Sequence, residues 1–277
     1  MTVSADPAND QVQTATTGFV GLREDRRLTG GSLRYDGGER LVTGWHFHDV
    51  HEIEYACRGM VEVETWAGHY LLPPHQAAWI PAGLHHRTTL NAGAQTLAVL
   101  FEPRLVPVAG DRVRIIAVSP LLREMMRYSE RWPMWRTESG AAADSFFHTL
   151  GYLVAEALDD EMPLHLPVSA DPVVAAAADY TRAHLGHVTV SDVARAAGVS
   201  ERTLRRIFTT QLGLPWRGYL LRARVLRAMA MLAQPDRSIL DVSIAVGFDD
   251  PGAFARSFAR HCGETPSAYK RRISGVP

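Results

Sequence analysis

The sequence predicts an α+β multidomain chain: an N-terminal β-barrel, helices after it, and an all-α C-terminal domain carrying two helix-turn-helix units. Three observations predict it. Between Phe19 and Phe101, glycines and prolines punctuate short alternating runs at roughly 8–12-residue spacing, the mark of a β-sandwich or barrel. A pattern at Val190–Tyr219 returns, altered, at Ile239–Tyr269, and a shared apolar frame with different polar fillings is one structural unit used twice. Charge is split as well. Residues 171–277 hold 15 Lys+Arg against 9 Asp+Glu, while the remainder holds 14 against 21. A basic C-terminal part and an acidic N-terminal part match one nucleic-acid-binding domain and one that does not bind nucleic acid.

Residues 1–17 are polar, without the basic-plus-apolar pattern of a secretion signal, and are expected to form a disordered tail. The chain has 277 residues, 46% of them apolar, with no run approaching a membrane span. Cys57 and Cys262 fall in different expected domains, so no disulfide is expected, and a cytoplasmic setting fits. The barrel is expected over residues 18–104. It contains His46-Phe47-His48-Asp49-Val50-His51-Glu52 followed by Gly59, and then Pro81-Ala82-Gly83-Leu84-His85-His86. In a strand, His46 and His48 point to one face. With Glu52 after a bend and His86 on a facing strand, three imidazoles and a carboxylate make a site for one divalent transition metal: Fe, Mn, Ni, Zn or Co. The other reading is that the four line a pocket and bond each other, water or an organic effector. His51, His69 and His85 are expected at the surface. Alternation puts Glu54 and Ala56 on the face of Glu52, and Ile53, Tyr55 and Cys57 on the other. An inward Glu54 is costly in a dry core, so a polar cavity is expected there. Trp45, Trp66 and Trp79 are candidates to line it, with ordinary core packing as the alternative for each.

Residues 105–162 are expected to connect the domains through helices. Ser119-Pro120 opens one that runs to about Arg131, and a second spans residues 144–160. Pro163, Pro167 and Pro172 mark a linker over 163–172. Residues 173–277 then hold the repeated unit. In the first copy Ser191 is an expected N-cap, Gly198 turns the chain at positive φ, and Ser200 caps a second helix. That helix buries Leu204, Ile207 and Phe208 and leaves Arg202, Arg205, Arg206 and Thr209 outward. An Arg-rich second helix suits a DNA major groove, where the guanidinium fork bonds guanine O6 and N7 or two phosphate oxygens. Trp216–Ala233 is a spacer helix of ~27 Å. In the second copy Asp249 and Asp250 are expected caps, with Pro251 in the first turn.

The run Ile239–Phe258, ILDVSIAVGFDDPGAFARSF, and the closing Gly263-Glu264-Thr265-Pro266-Ser267-Ala268-Tyr269 resemble the DNA-binding domain of AraC/XylS-type bacterial transcriptional regulators. The spacings His-x-His-x3-Glu-x6-Gly and Pro-x-Gly-x2-His resemble the two motifs of the cupin barrel, and the N-terminal region resembles the sensor domain of AraC-type regulators. The second motif departs from the metal-cupin pattern at Leu90, where an Asn is often found. The resemblance implies DNA contacts at Arg202, Arg205 and Arg206. In the second copy the matching positions are Gly252, Ala255 and Arg256; Gly252 and Ala255 cannot reach a base edge. The second copy is therefore expected to grip phosphate through Arg256, Arg260 and a helix N-terminus. As partners the resemblance implies double-stranded promoter DNA, a small-molecule or metal effector, RNA polymerase and a second copy of the chain, with no membrane. Two other functions remain open: a metal-dependent cupin enzyme with a DNA-binding tail, and a constitutive DNA-binding protein with a vestigial barrel.

Overall fold

A computed structural model describes residues 28–107, 110–136, 140–162, 165–234 and 236–274, so the expected tail at 1–17 lies outside the described residues. The chain divides into two units. One comprises residues up to Thr65 and Gln76–Glu161; the other comprises Trp66–His75 and the chain from Met162 onward.

The first unit holds β1 (Gly30–Asp36), β2 (Leu41–Val42), β3 (His51–Arg58), β4 (Val61–Thr65), β6 (Gln76–Ile80), β7 (His86–Leu90), β8 (Gln95–Phe101) and β9 (Arg114–Ala117). One antiparallel sheet runs β1-β8-β3-β6-β9, and β4-β7-β2 belong to another. Register decides which side chains meet. Glu52 stands opposite Leu100 and Glu54 opposite Ala98, on one face. Ile53 stands opposite Val99 and Tyr55 opposite Leu97, on the other, where Trp79 is paired to Ile53. That second face is covered by α1 (Pro120–Tyr128) and α2 (Ala141–Asp159), whose Leu122, Met126, Phe147, Leu150 and Val154 complete one buried cluster with Ile53, Tyr55 and Trp79. Burying each such side chain stabilises the unit by about 1.5–3 kcal/mol. α1 starts as expected, with Ser119 accepting from the Leu122 amide and Pro120 first in the helix. Its end is tightened into a 3-10 turn at Ser129–Arg131.

The second unit holds β5 (Gly68–Leu72) and, beyond β10 (Glu161–Met162), which straddles the boundary, β11 (His165–Pro167). It also holds α3 (Pro172–Ala183), α4 (Val190–Ala196), α5 (Glu201–Leu212), α6 (Trp216–Leu232), α7 (Ile239–Ala245), α8 (Pro251–Cys262) and α9 (Pro266–Ser274). Within the stretch read as a plain linker, β11 pairs antiparallel with β5, Leu166 against His69. The His165 carbonyl then accepts from Arg222 Nη1 of α6 at 3.1 Å. The duplication is repeated bond for bond. Val199 N donates to Ala194 O and Phe248 N to Ser243 O, each at 2.9 Å. Phe208 meets Tyr219 edge-on at 5.5 Å, and Phe258 meets Tyr269 at 5.4 Å.

Three expectations are corrected. The N-cap of α4 is Thr189, not Ser191: Thr189 accepts from the Asp192 amide while Asp192 accepts from the Thr189 amide, a reciprocal capping box. Ser191 sits inside the helix and donates to Glu201. Asp250 alone of the acidic pair caps α8. His51 and His69 are buried rather than at the surface. Among the described residues no helix is long and apolar enough to cross a membrane.

Candidate functional site

The sequence-predicted cluster in the first unit is brought together. His46 forms an antiparallel bridge with His86, each amide donating to the other's carbonyl at 3.0 and 2.9 Å. Their rings lie 4.3 Å apart, and that of His48 lies 5.0 Å from His86. His48 Nε2 is 2.6 Å from Glu52 Oε2, and His86 Nε2 is 3.7 Å from the same oxygen. One ligand atom each of His48, Glu52 and His86 lies within 4.8 Å of the others; His46 flanks this trio rather than joining it.

All three imidazoles are oriented the same way. His46 Nδ1 bonds Gly44 O at 2.8 Å, His48 Nδ1 bonds Val50 O at 2.7 Å, and His86 Nδ1 bonds Leu84 O at 2.9 Å. A carbonyl only accepts, so each Nδ1 carries the proton and each Nε2 lone pair is presented to the cluster when the ring is neutral. Metal-ligating histidines are held in this way. His86 Nε2 is buried and has no hydrogen-bond partner.

The charges follow from packing. Burial pushes His86 down to about 4, because a charged imidazole there loses its hydration. Burial also works against charge on His48, but the hydrogen bond and negative charge of Glu52 outweigh it and raise its pKa. Glu52 is lowered: burial opposes ionisation, and His48 overcomes it. Glu54, next on the same face, is raised well above the usual carboxylate range by burial and then by the charge of Glu52. His51 is pushed down to about 4 by burial; its Nδ1 accepts from the Ala82 amide at 2.9 Å, and its ring lies 4.9 Å from that of Trp79, tilted by 42°. It braces the turn that carries His86.

Beside the cluster lies a cavity of about 130 Å³, lined by His46, His48, Glu52 and Glu54 among others. Of the expected lining residues only Glu54 reaches it. Trp79 is on the helix-facing side of the sheet, inside the hydrophobic core. Trp66 belongs to the second unit and is 73% exposed. Trp45 is not among the lining residues, and the Arg87 guanidinium sits 5.4 Å over its ring. The residues missed include Leu33, Leu90, Thr96, Ala98, Leu100 and Met134. Alternation on β8 would have found Thr96, Ala98 and Leu100, but only once β8 is known to pair with β3.

In the second unit α5 exposes Arg202, Arg205, Arg206 and Thr209, while Leu204 and Phe208 are buried. Arg205 Nη2 bonds Glu201 Oε2 at 2.9 Å, and Thr209 Oγ1 donates to Arg205 O at 3.1 Å. On α8, Arg256 and Arg260 are exposed, and Arg256 Nη2 lies 3.5 Å from Asp250 Oδ2. Gly252 is half-buried, and its amide donates to Asp250 at 2.9 Å.

Residues 30–160 match the model of an AraC-like ligand binding domain, and residues 193–272 that of a helix-turn-helix domain. The HTH-type transcriptional regulator NimR of Escherichia coli K12 is 26% identical over 87% of this chain and 86% of its own. The transcriptional activator NphR of Rhodococcus is 38% identical over 34% of this chain and 28% of its own length. A solved regulator of Chromobacterium violaceum with an AraC-type DNA-binding domain is 28% identical, covering 39% of this chain and 97% of that one, with a TM-score of 0.37.

Proposed function

For a chain that belongs to the AraC-type transcriptional regulators, with a ligand-binding domain ahead of a DNA-binding helix-turn-helix domain, we propose that promoter binding is governed by a small molecule or a divalent transition metal bound in the barrel. The observation that carries the metal is His86 Nε2, buried without a hydrogen-bond partner beside His48 and Glu52. A neutral imidazole nitrogen left bare in a core is costly, and an ion bound there removes the cost. His48, Glu52 and His86 would hold the ion, with His46 adjacent, and Fe, Mn, Ni, Zn and Co all accept this donor set. Such an ion would supply a fixed positive charge and Lewis acidity beside the cavity.

The effector acts only as far as it binds one arrangement of the chain more tightly than the other. We read the protein as a regulator and not as a metal-dependent barrel enzyme, since NimR and NphR are described as regulators. It acts in the cytoplasm, as a homodimer, and meets RNA polymerase at the promoter. Within the DNA-binding unit the first copy reads bases through Arg202, Arg205 and Arg206, and the second grips phosphate through Arg256, Arg260 and the start of α8. The metal is tested by elemental analysis of untagged protein purified without chelators. One equivalent of a transition metal, lost in His86→Ala, is the expected result; its absence from the unaltered chain overturns this reading.

A further inference from the structure

The reading of the barrel as an effector site leaves the chemistry of the effector open, and the cavity narrows it. At about 130 Å³ it approaches the size of an engineered apolar cavity of about 150 Å³ that holds benzene. It therefore takes a molecule of about one ring, not a long acyl chain.

The polar groups on its wall are mostly committed to each other. Tyr35 Oη donates to Glu39 O at 3.2 Å. Thr43 Oγ1 accepts from the Thr88 amide at 2.9 Å. His48 bonds Val50 O and Glu52, while Glu54 bonds Glu52 and Thr96. Arg34, the one permanently cationic side chain among the described lining residues, is held by Asp36 at 2.8 Å and Glu130 at 2.9 Å. The rest of the wall is Thr88 together with Leu33, Leu41, Leu90, Ala98, Leu100 and Met134. A sugar would bury more hydroxyls than this wall can partner, and without a bound ion a carboxylate would face Glu52 with no uncommitted guanidinium. His46 is tied through Nδ1 alone, so one polar atom of a ligand can meet its Nε2 or an ion bound beside it.

We propose that the effector is a compact, uncharged, mostly apolar molecule of about one ring, carrying a single hydroxyl-type group directed at the His46–His48 edge of the cavity. The claim rests on the barrel being the effector site, and the test separates the two. Three ring-sized probes, phenol, benzoate and D-ribose, are compared by calorimetric titration and thermal shift on the full-length chain, the Ala98→Phe variant that fills the cavity, and the milder Ala98→Leu. Phenol should raise the melting temperature of the unaltered chain by about 2–4 °C at saturating concentration. The shift should shrink in Ala98→Leu and vanish in Ala98→Phe, while benzoate and ribose give none. Stronger stabilisation by benzoate or ribose that Ala98→Leu or Ala98→Phe weakens overturns the proposed class and leaves the effector site standing. No shift with any probe, or a phenol shift unchanged in both variants, overturns the proposal together with the cavity as its site.

Discussion

At the scale of single residues, the base contact proposed for Arg205 competes with a pair it already makes. Its guanidinium bonds Glu201 one helical turn back, with both side chains exposed. An exposed pair at that spacing is worth about 0.3–0.5 kcal/mol, whereas a bidentate contact to guanine discriminates by about 1–3 kcal/mol, so a guanine within reach would win the guanidinium. Arg205→Ala is expected to lose about 1–3 kcal/mol of discrimination at one base position, read by binding to a set of singly substituted duplexes. Equal loss on every duplex would make Arg205 a phosphate contact. Arg256 is placed differently. Its neighbours on the outward face, Gly252 and Ala255, carry no group that reaches a base, and its own partner is the capping Asp250. Arg256→Ala should weaken all duplexes alike and lower the slope of log affinity against log salt by about one; relaxed specificity at particular bases would contradict the assignment.

At the scale of elements, the two copies differ most at their turns. Gly198 has φ +68° and Gly247 φ +90°, both in the left-handed region. A Cβ at Gly198 meets nothing within 4 Å, but at Gly247 it falls 2.4 Å from Gly186 O and 2.6 Å from Arg224 Nη2. Gly198→Ala therefore costs only the conformational penalty of about 1–2 kcal/mol, and Gly247→Ala must also displace backbone. Denaturant melts should rank Gly247→Ala clearly below Gly198→Ala; equal losses would show that the clash is relieved without cost. The caps set the response to acid. Hydrogen bonds from Thr189, from Ser238 and from the Gly252 amide are the leading causes that hold Asp192, Asp241 and Asp250 below 3.8. A carboxylate whose folded pKa is depressed contributes stability that is complete above its unfolded value and is lost as pH falls through the folded one. Removing these caps by acid thus begins only below about pH 4. In Asp192→Asn/Asp241→Asn/Asp250→Asn the melting temperature, followed by the helical circular dichroism signal, should fall less steeply below that pH than in the unaltered chain, and parallel curves would contradict the assignment.

These elements also show what a sequence can carry. The duplication, the turn glycines and the Ser200 and Asp250 caps are local chemistry, and all are readable by spacing. Thr189-x-x-Asp192 is equally local, and the reciprocal pair was the signal that outranked Ser191. The cavity wall is another matter. Ala98 and Leu100 acquire a role only because β8 lies against β3 in one register, and a slip of one residue would exchange them for Leu97 and Val99. Trp66 and Trp79, candidates for the cavity wall, lie elsewhere: one is solvent-exposed and the other is sealed on the helix side of the sheet. The histidine cluster was legible as a set of residue types. Its common orientation, with three Nδ1 atoms on three backbone carbonyls, depends on loop geometry that spacing alone does not specify.

At the scale of the molecule, the boundary of the second unit is not the proline-rich segment. The chain crosses between units after Thr65, His75 and Glu161, so β5, which by sequence is part of the barrel, is carried by the DNA-binding unit. There it holds β11, whose His165 carbonyl is bonded to α6, the spacer between the two recognition helices. On the proposed reading, a metal ion held by His48, Glu52 and His86 sets DNA affinity. The most direct test of this is the affinity of the full-length chain for a duplex it selects from a random pool, measured with chelator and with added Zn²⁺ or Mn²⁺, for the unaltered protein and for His86→Ala. Metal loading is expected to change the affinity about tenfold or more, about 1.4 kcal/mol, in the unaltered protein and not in His86→Ala; equal affinities with and without metal in the unaltered protein would overturn metal control of DNA binding.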